Sequence, residues 1–198
     1  MWFLKKSKLA LEEQLQTLRD CGFVAHPGIT IEDFLESGER KQYEDNPFQT
    51  LFGVLGGEVQ REPYPRFSDC FHLIDLECIY ADGDYCTIAL DLARLSRGDI
   101  HLSNLVDKVD CDSEQAWITF DCKLNGLIEH VRYDFAFNND FMDRAILTGF
   151  SDLLARTGSK KRYFEQPTLG QDVLIICAER ESVVQFEKMT KIKFLQIK

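Results

Sequence analysis

AWITFDCKLNGLIEHVRYDF, residues 116–135, consists of two alternating runs that meet at Asn125-Gly126. Asn-Gly between such runs is the strongest short-range hairpin signal, because both central residues of a type I′ turn need positive φ. A two-residue loop also sets the register. Leu124 faces Leu127, Cys122 faces Glu129, Phe120 faces Val131, Ile118 faces Tyr133 and Ala116 faces Phe135. That face is almost wholly apolar. The other face pairs Lys123 with Ile128, Asp121 with His130, Thr119 with Arg132 and Trp117 with Asp134. One side is therefore made for a core, and the other meets water or a polar cover.

Downstream, Asn138 or Asn139 is positioned to cap a helix, since Phe141, Met142, Ala145, Ile146, Phe150, Leu153 and Leu154 recur at helical spacing and Gly158 supplies a stop. A helix laid across the apolar face of the hairpin predicts an α+β fold: a central antiparallel sheet with helices packed on one face. Upstream, Ser7 to Cys21 reads as a helix with Ala10, Leu11, Leu15 and Leu18 on one face, and Thr30 can cap a second helix that buries Phe34 and Leu35. Glu39 to Asp45 is ambiguous, and Asn46-Pro47 is the expected start of a third helix presenting Phe48, Leu51, Phe52 and Leu55. These make a small N-terminal helical region over residues 1–57, ahead of an α+β domain over 58–198, the two forming one compact unit.

Within that domain Glu58 to Phe67, with Pro63 and Pro65, reads as a loop or edge segment, and Asp69 to Tyr80 as a strand. A helix from about Asp84 to Ser96 follows, then a strand from Asp99 to Val109 with Ile100, Leu102 and Val106 inward. Asp110 to Glu114 is an acidic loop before the hairpin. Arg162 to Gln166 and Asp172 to Ala178 form a strand pair around Pro167 to Gly170, a last helix spans about Glu179 to Met189, and Ile192 to Ile197 adds an edge strand.

A chain of 198 residues can bury roughly 70% of its unfolded surface, so a hydrophobic core suffices without staples. Seven cysteines form no CxxC pair and fall mostly in apolar patterns, as expected of free thiols in a reducing compartment. The N-terminal lysines follow a very short apolar run, the reverse of a secretory signal, and no apolar run approaches the ~18 residues of a membrane span. A cytoplasmic protein with no membrane partner is expected. The net charge of −10 is unevenly spread: residues 23–155 hold 25 acidic and 10 basic residues. Phosphate binding needs a dense basic stripe, so this balance excludes nucleic acid as a general partner.

Several constellations resemble chemical sites. Asp69, Asp75 and Glu77 lie on one side of their strand and Cys70, His72 and Cys78 on the other, so the ligands do not converge on a metal. Asp110, Asp112 and Glu114 have the spacing that opens a calcium loop, but Gln115 stands where the sharp turn wants glycine. No metal is expected. Asp121 opposite His130 is the orienting half of an acid–base arrangement, yet Ser151, in Gly149-Phe-Ser-Asp-Leu, lacks the second glycine of a nucleophile elbow. Phosphate-binding loops are absent from the pattern, and no cofactor is expected. Trp117 beside Thr119, Arg132 and Asp134 is the feature most like a recognition surface, since Trp and Arg are enriched at binding hot spots. Whether the N-terminal helices cover Trp117 is left open.

The acid-rich segment from Asp99 to Glu114, the polar hairpin face around Asn125-Gly126 and the strand led by Gly170-Gln171-Asp172 resemble the small acidic immunity proteins encoded beside bacterial toxins. That resemblance implies a compact, cytosolic, non-enzymatic protein that neutralises one cognate toxin, with Asp107, Asp110, Asp112 and Glu114 meeting a basic partner. The competing expectation is an enzyme or small-ligand binder with a site over Asp121, His130 and Trp117.

Overall fold

The computed structural model describes residues 8–58, 66–124, 126–137, 140–167 and 170–198. In chain order they form α1 (Leu11–Asp20), α2 (Ile31–Ser37), α3 (Arg40–Asp45), α4 (Gln49–Gly56), β1 (Phe71–Asp75), α5 (Asp84–Leu95), β2 (Leu102–Asp110), β3 (Gln115–Leu124) and β4 (Leu127–Ala136). Then follow α6 (Ala145–Arg156), β5 (Lys161–Pro167), β6 (Asp172–Glu179), α7 (Arg180–Thr190) and β7 (Leu195–Gln196). The fold is α+β, with four helices before the first strand. Its strands divide into two antiparallel sheets, one ordered β1-β6-β5-β7 and the other β2-β3-β4.

β6 is the centre. Its run Val-Leu-Ile-Ile-Cys-Ala is apolar at every position, which a strand tolerates only when both faces are covered. Val173, Ile175 and Cys177 enter one core with Tyr163, the inner face of β3 and the buried sides of α5 and α6. Leu174, Ile176 and Ala178 enter a second core with Phe164, α7 and the N-terminal helices. Nine phenylalanines dominate the second core. Phe52 has ring centroids at 5.6 Å from Phe71 and 5.7 Å from Phe186, and Phe48 meets Phe186 edge-on at 5.4 Å. α4 is thereby packed against α7, with Phe194 also in the cluster.

Buried Gln14 fastens the helical layer from inside. Its amide donates to the carbonyls of Leu9 (2.8 Å) and Tyr43 (2.9 Å), and its oxygen accepts the Phe48 N–H at 2.7 Å. This arrangement shifts the expected start of α4 from Asn46-Pro47 to Gln49. Phe48 turns left-handed (φ 67°), with its N–H on Gln14 and its ring in the aromatic cluster. Glu39 to Asp45, ambiguous in sequence, contains α3. Ser7, Pro63, Pro65, Thr168 and Leu169 lie outside the described residues.

The β3–β4 register is the expected one throughout, from Leu124 opposite Leu127 to Ala116 opposite Phe135. Asn125 lies outside the described residues; Gly126 has φ 85°. Ile118, Phe120 and Cys122 are buried under α5 and α6, with Phe120 at 5.6 Å from Phe150 and Tyr85 stacked on Phe135 at 4.3 Å. The Tyr133 hydroxyl donates to the Gly149 carbonyl at 3.0 Å, and its ring lies so close that a Cβ on residue 149 would sit 2.8 Å from it.

Two expectations are corrected. The helix after the hairpin starts later than the periodicity implies. Asp143 accepts the Ala145 N–H at 2.9 Å to open α6, while Phe141 pairs with Glu77 in an isolated bridge and Met142 packs in the core. Asn138 and Asn139, the expected caps, lie outside the described residues. Val106 points outward, 54% exposed, because a bulge between Ser103 and Val106, with Asn104 at φ 52°, inverts the alternation of β2.

Because β6 joins both cores, Ile176→Ala should lower the unfolding free energy by about 2–5 kcal/mol. Ile128→Ala, at a position 74% exposed, should stay within about 0.5 kcal/mol of wild type. Urea unfolding of the two variants checks both.

Candidate functional site

α5 and α6 cover one face of the β2-β3-β4 sheet, and the N-terminal helices are committed to the other sheet. Among the described residues, no helix packs on the second face of the three-stranded sheet. Register places on it the rows Lys108–Trp117–Asp134, Val106–Thr119–Arg132 and Ser103–Asp121–His130, with Lys123 and Ile128 nearest the hairpin tip. Trp117 is half-buried, and what covers it is Arg132, whose guanidinium carbon lies 4.8 Å over the indole. The same guanidinium grips Asp134 through Nη2 at 2.6 Å and Nε at 3.0 Å. That contact holds the Asp134 carboxyl below its ordinary range and raises Arg132. A flat aromatic surface, a fixed cation and a carboxylate are thus arrayed on neighbouring strands without help from any helix.

One row away, Asp121 accepts from Asn104 Nδ2 at 2.7 Å and meets His130 Nδ1 at 2.9 Å. Both bonds favour the carboxylate and lower its pKa, the Asn104 bond first. Asn104 reaches Asp121 from the bulged segment of β2. At the opposite end, the turn from β2 to β3 carries the acidic group. Asp110 folds back to accept the N–H groups of Asp112 (3.1 Å) and Ser113 (3.4 Å), and the Ser113 hydroxyl first, then these N–H groups, hold its carboxyl below the ordinary range. Asp112 and Glu114 are exposed, Glu114 in the left-handed region at φ 52°. An open groove of about 580 Å³ runs between this turn and the indole, walled by Lys108, Asp110, Asp112, Gln115, Trp117 and Asp134.

Asp107 does not join that surface. It lies opposite Ile118, on the core side, and its two oxygens accept the N–H groups of Gly83 (2.7 Å) and Cys86 (3.0 Å) at the start of α5. Sequence proximity grouped it with Asp110 to Glu114; strand alternation and the helix start separate it. Ser151 is also structural, its buried hydroxyl donating to the Ile197 carbonyl at 2.8 Å.

A second constellation escaped the sequence reading. His72 Nε2 sits 3.3 Å from Asp91, which also pairs with Arg66 (3.0 Å) and Arg94 (3.3 Å). Arg94 continues to Asp69 at 3.1 Å, and Asp69 meets His26 at 3.3 Å. Burial pushes the His72 pKa down to about 4, against the pull of Asp91 and with Arg94 and Arg66 adding to the depression. His72 Nδ1 and Arg94 Nη2 are buried without a partner. The pair has the form of an oriented imidazole, but its outer nitrogen is closed to solvent. Asp91 lies on the otherwise apolar face of α5, with Ile88, Leu92 and Leu95, and that single polar position was the available signal. Cys70, read on the His72 side of its strand, lies in the other core.

The seven cysteines are not bonded to one another. Among the described residues no group of three or more His, Cys, Asp and Glu side chains could hold a metal ion. No helix there is long and apolar enough to cross a membrane.

The buried imidazole generates a pH dependence with a definite sign. Its folded pKa lies below the ordinary imidazole value of 6.5, so beneath 6.5 the unfolded chain binds the extra proton. Stability should therefore fall between pH 6.5 and about pH 4. His72→Gln, which keeps a donor for Asp91, should flatten that slope in urea titrations at several pH values.

The chain matches no protein-family model, no curated protein and no solved structure.

Proposed function

We propose that the protein is a non-enzymatic binding protein that docks a basic protein on the outer face of the β2-β3-β4 sheet, in the manner of an immunity protein neutralising a toxin. The observation that carries this reading is a sheet face on which no described helix packs, bearing a Trp117–Arg132–Asp134 stack beside an acidic turn. Rigid aromatic and guanidinium groups are what bound partners bury most productively, and Trp117 and Arg132 are already immobilised before any partner arrives. The acidic turn adds reach. Asp110, Asp112 and Glu114 lie at one end of the face, within the segment of the chain that carries most of the negative charge. A field of one sign raises the encounter rate with a basic surface more than it lengthens the life of the complex.

A small-molecule site over Asp121, His130 and Trp117 is less well supported. Asp121 and His130 are not among the residues lining the groove beside the indole.

Two experiments test the proposal once a partner has been captured from the source cell and its kinetics measured at two salt concentrations. Changing Asp110 and Asp112 to Asn and Glu114 to Gln should slow association at low salt and leave dissociation nearly unchanged. Association indifferent to both salt and the triple change would refute the electrostatic part. Trp117→Ala should weaken the complex by about 2 kcal/mol, roughly thirtyfold, mainly through faster dissociation. Small-molecule turnover lost on His130→Ala would instead move the protein to the enzyme class.

A further inference from the structure

The helical layer contains a cavity of about 210 Å³ between α1, the start of α2 and the connection that joins them. Phe34 of α2, Leu55 of α4 and Phe71 of β1 line it and are otherwise fully packed in the second core. Leu15, Ala25, Ile29 and Ile31 line it too, and these aliphatic side chains stay only half-buried. Arg19, Val24 and Thr30 are exposed, so the cavity opens to solvent beside the last turn of α1.

The connection is fixed in place. Gly22, at φ 84°, turns the chain out of α1, and the Phe23 N–H donates to the Leu18 carbonyl at 2.9 Å. Two bonds then tie it to the segment ahead of β1. The Val24 carbonyl accepts the Ser68 hydroxyl at 2.5 Å, and the His26 N–H donates to the Phe67 carbonyl at 2.8 Å. A wall anchored at both sides needs little further ordering when a ligand enters, which favours binding in a preformed site.

Size and lining select the ligand. An apolar cavity of about 150 Å³ already takes benzene, so this one has room for a single ring with a short chain, or for a chain of roughly eight carbons. Water is a poor occupant, since it needs about two to four polar partners. The polar side chains of the lining are Arg19 and Thr30 alone, and the Thr30 hydroxyl is already engaged by Asp33 at 3.0 Å. Arg19 is the one charged residue of the lining. Among the described residues its guanidinium meets no carboxylate and donates only to the neutral Gln16 amide, at 3.1 Å. A cation in the last turn of a helix is favoured with or without a ligand, so its sign alone decides nothing. Its place at the wall of an apolar cavity does, because an anionic head can pair there while the body of the same molecule leaves water.

We propose that this cavity binds a small carboxylic acid with an apolar body, the body against Phe34, Leu55 and Phe71 and the carboxylate on Arg19. The site shares no residue with the groove beside Trp117, so it does not depend on what docks there.

Calorimetric titration of the full chain with octanoate, and with octan-1-ol as the same body without the charge, tests it. Octanoate should bind one to one with a dissociation constant below about 1 mM, and the alcohol about tenfold or more weakly. Arg19→Gln, at an exposed position, should bring octanoate down to the level of the alcohol and leave the alcohol unchanged. Ile29→Trp fills the cavity and should abolish binding of both, with circular dichroism verifying the fold. Amide shifts induced by octanoate in the wild type should centre on residues 15–34. A wild-type chain that takes neither compound, as it would if a side chain of a partner protein filled the cavity, overturns the proposal. Octanoate binding that survives Arg19→Gln at full strength, or shifts centred elsewhere, overturns it as well.

Discussion

Burial of β6 on both faces is the constraint from which the rest of the architecture follows. Its alternate side chains enter two cores, so neither the N-terminal helices nor the α5–α6 layer has an independent hydrophobic centre. Each layer is held by what the other side of the same strand does. A backbone flanked by apolar side chains on both sides also has no water for its polar groups, and the ladders to β1 and β5 satisfy them. The arrangement commits α1–α4 and α7 to one side of the four-stranded sheet.

That commitment explains why no described helix packs on the outer face of the three-stranded sheet. Every amphipathic element has its apolar side engaged elsewhere, and the outward side chains of β2, β3 and β4 are too polar to recruit one. Trp117 is the exception. Where another fold would bury such a ring under a helix, here Arg132 lies over it and Asp134 holds Arg132 in place. The indole stays partly accessible, and its neighbours are ordered without any tertiary cover.

Carboxylates in this protein have two kinds of work, and the net charge does not separate them. Asp82, Asp107 and Asp143 accept backbone N–H groups at the edge of β2 and at the starts of α5 and α6. Asp91 is surrounded by Arg66, Arg94 and His72 in a semi-buried network whose two unpartnered nitrogens mark a local cost to stability. Asp112 and Glu114 remain on the surface, where charge is felt at a distance.

The hairpin was legible residue by residue because its determinants are local: a turn that accepts positive φ, and an alternation of period two that one buried face locks in register. The Asp121–His130 and Trp117–Asp134 pairings came with it. Local reading failed where a distant partner decided. Phe48 turns left-handed to reach Gln14, the bulge at Asn104 puts Val106 outside, and Asp107 caps a helix more than twenty residues upstream. The His72–Asp91 network draws on a strand, a helix and a loop that only folding brings together. By itself, then, the sequence determined the α+β class, the hairpin and its two-faced register. Which carboxylates stay on the surface, and that none of the described helices covers the outer face of the hairpin, was decided by the tertiary structure, because burial depends on where every other apolar side is spent.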